Sequence, residues 1–140
     1  MTGAPIESGL PTEDEIARLV DGFYAKVRAD AELGPVFERA ISDWGPHLET
    51  MRKFWSSVML TSGRYKGRPL PVHIKLGEAV TPALFARWLG LWKTATEDVL
   101  PPEAATAMQD KAARIAESLS MGIAFARGQF SLDTPAPPAR

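Results

Sequence analysis

Between residues 13 and 127 the apolar side chains of this chain recur at spacings of three and four, and no stretch alternates apolar with polar over β-branched residues as a sheet would require. That period belongs to helices with one buried face, so the body is expected to be all-α. Thr12-Glu13-Asp14-Glu15 reads as a capping box and predicts a helix over residues 13 to 29, with Ile16, Leu19, Val20, Phe23, Tyr24 and Val27 turned inward. A break at Asp30 and a short helical piece around residues 33 to 39 follow. Ser42 or Asp43 can cap a helix reaching Leu60, where Pro46 is tolerated because first-turn amides are unpaired anyway. His47, Met51, Phe54, Trp55 and Val58 then share one face. Residues 61 to 69 are too polar and glycine-rich for a regular element, and residues 70 to 76 have room for about two turns of helix. Thr81-Pro82 starts a long helix with Leu84, Trp88, Leu91, Trp92, Ala95 and Val99 inward. Pro101-Pro102 ends it and opens a last helix to about residue 127, with Ala105, Met108, Ala112, Ile115 and Leu119 inward.

A chain of 140 residues with 45% hydrophobic content suits one core. The expected organisation is a single domain over residues 12 to 128, with loose tails at 1 to 11 and 129 to 140 where proline and glycine accumulate. A formal net charge of −1 gives no general attraction to nucleic acid. The apolar runs are shorter than a membrane span, and the first residues lack the regions of a secretory signal. A cytoplasmic monomer without nucleic-acid or membrane partners is expected.

Cysteine is absent, so thiolate metal sites and thiol nucleophiles are excluded, and the soft nitrogen ligands reduce to two histidines. His73 lies directly behind a basic loop that runs from Gly63 to Val72; His47 lies on the preceding helix. Trp44 and Leu70 occupy the positions three before them, so no Glu-x-x-His pair for a carboxylate-bridged di-iron site exists. Zinc-protease, dinucleotide, phosphate-loop and nucleophile-elbow motifs are missing too. Two histidines on different elements, an inward Tyr24, and Trp55 and Trp88 on inward stripes are parts from which a haem pocket can be built. They are also what structural histidines among core aromatics look like, and periodicity alone leaves both readings open.

Several separated motifs carry a resemblance. Phe23-Tyr24-x-x-Val27-x-x-Asp30-x-x-Leu33-x-Pro35-x-Phe37, then Trp44-x-x-His47, Phe54-Trp55, Gly63-x-Tyr65-x-Gly67-x-Pro69-x-x-x-His73 and Phe85-x-x-Trp88-Leu89 resemble the group III truncated haemoglobins in order and spacing, from about residue 16 to 120. The stretch from Leu76 to Thr81 departs from the leucine-proline connection of that group. The resemblance implies a shortened globin, a two-over-two helical sandwich around one b-type haem (iron protoporphyrin IX). It assigns His73 as the iron ligand, Tyr24, His47 and Trp88 as distal ligand-binding residues, and Met51, Phe54 and Trp55 as apolar lining. The implied function is binding of dioxygen and other diatomic ligands (nitric oxide, carbon monoxide, cyanide in the ferric form). Oxygen handling and detoxification of reactive nitrogen or oxygen species both fit. Nitric oxide dioxygenase or peroxidase-like turnover would need an external electron donor.

On that basis the second ring N–H of His73 is expected on a backbone carbonyl about a turn earlier, near Pro69 or Leu70. At least one of Arg64, Tyr65, Lys66 and Arg68 is expected to meet the haem propionates, with Arg64, Tyr65 and Arg68 taken as haem-binding, unless the loop is simply a solvated face. His47, one turn before Met51, is expected at the pocket rim, free to swing, as a gate, a donor to the ligand or a sixth iron ligand. The alternative function is a cofactor-free helical interaction module, with Trp44, Trp92 or Phe130 forming the partner surface.

Overall fold

Residues 9–75, 80–126 and 128 are described by the computed structural model, and among them the secondary structure is entirely helical. Helix α1 spans Glu13–Ala29, α2 Leu33–Ala40, α3 Trp44–Leu60, α4 Pro69–Lys75, α5 Pro82–Val99 and α6 Pro102–Ala126. The expected tail 129 to 140, most of the tail 1 to 11, and Leu76 to Ala79 lie outside the described residues. Pro11, at the end of the first stretch, is buried.

The ends of the helices follow from local chemistry. The Thr12 hydroxyl accepts the Glu15 amide at 3.0 Å while the Thr12 amide donates to the Glu15 carboxylate at 2.9 Å, closing the capping box that starts α1. Asp30 ends α1 and opens α2, its carboxylate accepting the amides of Glu32 at 3.0 Å and Leu33 at 2.8 Å. Asp43 occupies the N-cap position of α3, but its side chain makes no capping hydrogen bond. Thr81 caps α5 by accepting the Leu84 amide at 3.1 Å, with Pro82 in the first turn.

Helices α1 and α3 form one layer and α5 and α6 the other, with α5 packed against both α1 and α6, α2 on α1, and α4 resting on α6. Leu70 sits against Gly122, where an added Cβ would come within 2.9 Å of its methyl carbons. Aromatic rings hold the centre together: Trp92 stacks on Trp55 at 4.5 Å and on Trp88 at 5.4 Å, and Phe23 meets Tyr24, Trp88 and Trp92 edge-on. The Trp92 indole N–H donates to the Met108 carbonyl at 3.2 Å, which joins α5 to α6 without leaving a buried donor unpaired. Truncating such a ring to alanine costs about 3–5 kcal/mol. Among the described residues no helix is long and apolar enough to cross a membrane.

Candidate functional site

The helices do not close completely. A cavity of about 400 Å³ is lined by Tyr24 of α1, Val36, Phe37 and Ala40 of α2, and His47, Thr50, Met51, Phe54 and Trp55 of α3. Tyr65 of the following loop, Pro69 and His73 of α4, Leu84, Phe85 and Trp88 of α5, and Ile115, Ala116 and Leu119 of α6 complete it together with Leu33, Ile41 and Val80. The lining is largely apolar, with a few polar tips turned toward a common space, as ligand cavities are built.

His73 is placed by its own helix. Its Nδ1 lies 2.8 Å from the Pro69 carbonyl oxygen, one turn back. A carbonyl can only accept, so Nδ1 carries the proton, and in the neutral ring Nε2 keeps its lone pair. Phe85 lies alongside the imidazole at 6.3 Å with the planes 22° apart. Proline at 69 has no amide hydrogen to lose, which makes this start of a short helix inexpensive.

Tyr24, Trp88 and His47 reach the same cavity. Tyr24 is buried, its ring edge-on to Phe23 at 4.9 Å and to Phe37 at 5.8 Å, and burial pushes its ionisation far above the usual phenol range. It therefore stays an O–H donor. His47 is perpendicular to Tyr24 at 5.3 Å and to Trp44 at 5.7 Å. Among the described residues its buried Nε2 has no hydrogen-bond partner, and burial lowers its pKa below the usual histidine value. The sequence places His47 at the pocket rim with freedom to swing; in the structure the half-buried imidazole lines the cavity and lies between two aromatic rings.

Met51, Phe54 and Trp55 line the cavity as a block because α3 turns one face to it. Tyr65 is brought in by its backbone amide, which donates to the Ser57 hydroxyl at 2.8 Å, and its ring meets Phe54 edge-on at 5.1 Å. Arg64 goes elsewhere. Its guanidinium binds Glu13 at 2.8 Å and lies 3.8 Å from Glu49, on the outer side of α1 and α3 rather than in the cavity wall. Arg68 is exposed and outside the lining. Sequence periodicity missed Val36, Ala40 and Thr50. An eight-residue helix offers too few turns to reveal its inward face, and a threonine on α3 carries no apolar signal.

Of the residues offered as a partner surface for an interaction module, one is closed off in the core, one is partly covered and one lies outside the described residues. Trp92 is 1% exposed, Trp44 is covered by Arg28 and Tyr24, and Phe130 lies outside the described residues. Among the described residues no group of three His, Cys, Asp or Glu side chains stands together to hold a metal ion.

No family model matches the chain. Group 3 truncated hemoglobin ctb of Campylobacter jejuni is 33% identical over 108 residues, which span 74% of this chain and 84% of that protein. The crystal structure of the group III truncated hemoglobin from Campylobacter jejuni superposes with a TM-score of 0.76 at 31% identity, covering 81% of this chain and 91% of that one. The helical sandwich is thus that of a truncated globin, and the likeness runs through sequence and backbone alike over most of both chains. On these grounds the chain belongs to the group III truncated haemoglobins.

Proposed function

We propose that the cavity holds one b-type haem with His73 as the protein ligand to iron, and that the protein binds dioxygen and other small diatomic ligands. The observation that carries this reading is the His73 tautomer: with Nδ1–H committed to the Pro69 carbonyl at 2.8 Å, the nitrogen left to bind a metal is Nε2. A single imidazole cannot hold iron alone, whereas a porphyrin brings four nitrogens of its own, and an apolar cleft of this size suits its faces. When bound, haem iron supplies the reversible coordination of the diatomic molecule.

The chain's own residues supply the rest. Tyr24 presents a hydroxyl that cannot ionise at ordinary pH and donates a hydrogen bond to a ligand in the cavity, where exclusion of water strengthens it. Trp88 offers an indole N–H from α5 as a second donor. His47 acts as the gate on the distal side. Met51, Phe54 and Trp55 back the pocket and exclude water. At the pocket edge Tyr65 and Arg68 meet the propionates, while Arg64 stays with Glu13 and steadies the loop. Oxygen handling and detoxification of reactive nitrogen or oxygen species are the roles proposed, the latter with an external reductant. A cytoplasmic monomer is proposed as the working form.

An absorption spectrum tests this. Purified protein incubated with haemin is expected to develop a Soret band that His73→Ala abolishes or shifts and that Tyr24→Phe retains. A colourless wild-type protein, or a band indifferent to His73→Ala, overturns the assignment.

A further inference from the structure

Among the described residues the buried Nε2 of His47 has no hydrogen-bond partner, so it is packing that places the ring. Two aromatic rings supply it, each perpendicular to the imidazole: Tyr24 at 5.3 Å and Trp44 at 5.7 Å. Tyr24 is fixed by the core. Trp44, the first residue of α3, is only partly buried and does not line the cavity, so it backs His47 from outside.

What fixes Trp44 is a clamp joining three helices. The Arg28 guanidinium, from the last turn of α1, lies 4.4 Å from the centroid of the Trp44 ring. Glu38 of α2 accepts the Trp44 indole N–H at 3.4 Å with one carboxylate oxygen and the Arg28 Nε–H at 3.2 Å with the other. Each contact is modest and exposed. Together they close a ring of three side chains around Trp44, the indole that meets His47.

We infer that Arg28, Glu38 and Trp44 form a latch that keeps His47 across the approach to the cavity, and so set how fast a small uncharged ligand enters and leaves. They are positioning residues that act through His47. The inference rests on the haem reading above. If the latch is a gate control, loosening it raises the entry and exit rates by the same factor and leaves affinity unchanged, because neither the ligand nor its donors are touched. A cation–π contact at an exposed site corresponds to a change of about two- to fivefold.

Two measurements on full-length protein test this, with Arg28→Gln and Glu38→Gln as variants that keep the fold and Trp44→Ala as the severe case. The first is carbethoxylation of His47 by diethyl pyrocarbonate, followed on the His47 peptide by mass spectrometry, which needs no haem. The second is carbon monoxide association and release in haem-loaded protein. Faster modification of His47 in all three variants, with both rates raised about two- to fivefold in the glutamine variants and the increase abolished on a His47→Ala background, supports the latch. Unchanged modification overturns the latch itself. Faster modification with unchanged rates overturns its control of entry. Absence of a Soret band defeats the haem reading and with it the ligand-entry role, while the modification rates still report whether Trp44 pins His47.

Discussion

Tyr24 and His73 show how single residues acquire a role from what surrounds them. Each has one polar end, and in each the burial or partner of that end decides its chemistry. Tyr24 lies in the row Phe23–Trp88–Trp92 that forms the aromatic centre, so its ring could have been placed by packing alone. The same side chain also lines the cavity, and burial keeps its hydroxyl protonated. In the haem reading that hydroxyl is the main donor to dioxygen. Removing one good hydrogen bond is worth about 1–1.5 kcal/mol, so Tyr24→Phe is expected to speed dioxygen release about tenfold, measured by stopped-flow displacement with carbon monoxide. An unchanged release rate in a folded variant shifts the donor role to Trp88. The bond from His73 to a carbonyl near Pro69 could be read from the sequence, because a helix always brings the carbonyl four residues back within reach and proline there sacrifices no amide. The surroundings of His47 could not, since they come from Tyr24 of another helix and from Trp44, which itself meets Arg28 and Glu38 from two other helices.

Among the elements, the corner between α1 and α2 does the most to set the pocket wall, because α2 contributes Val36, Phe37 and Ala40 and is only eight residues long. Such a helix is not stable alone and takes its position from its ends. At one end Asp30 accepts the amides of Glu32 and Leu33 and binds the Arg87 guanidinium of α5 at 2.7 Å, which holds its carboxyl down at about 2. A depressed carboxylate contributes stability that is complete above its unfolded value, about 4, and is lost as pH falls through the folded one. Asp30→Asn is therefore expected to lower the unfolding midpoint near neutral pH, with the difference from wild type closing between about pH 4 and pH 2. A gap that stayed constant across that window would mean the charge is not what stabilises the corner. At the same corner Gly34 is buried, and an added Cβ would come within 2.9 Å of the Arg28 carbonyl oxygen. Backbone cannot move aside as a side chain does, so Gly34→Ala is expected to cost about 1–3 kcal/mol in a denaturant melt. The long helices were legible because their ends carry local signals: a capping box at Thr12, a threonine cap and proline at 81 and 82, and the Pro101-Pro102 stop. The loop after α3 was legible only as a loop. Its anchoring on Glu13 of α1, directly through Arg64 and by way of the Ser62 and Ser56 hydroxyls, joins residues more than forty positions apart and leaves no periodic trace.

At the scale of the whole molecule the cavity is a gap in the core, and the proposed haem would fill it. Every helix contributes to its lining, so filling it would add packing partners to all six. They do not depend on it equally. Helices α1, α5 and α6 share a core of their own, with Phe23, Trp92 and Met108 fully enclosed without help from the cavity. Helix α4 is seven residues long, rests on α6 through Leu70 at Gly122, and turns His73 into the gap. A helix of that length has little intrinsic stability and needs tertiary contacts to persist. Binding of a ligand to the folded form stabilises most the segments whose opening releases that ligand. Hydrogen exchange should therefore separate the two groups when haem-free and haem-loaded protein are compared. The amides of α4 are expected to slow by at least about tenfold on loading, while the central amides of α1 and α5 change little, because their opening in the haem-free protein is already limited by the aromatic core. In His73→Ala the added protection of α4 is expected to disappear even at haemin concentrations that still colour the protein. Equal protection across all helices would mean that haem acts by general stabilisation, and α4 would then be an independent part of the scaffold instead of the element that the iron ligand ties down.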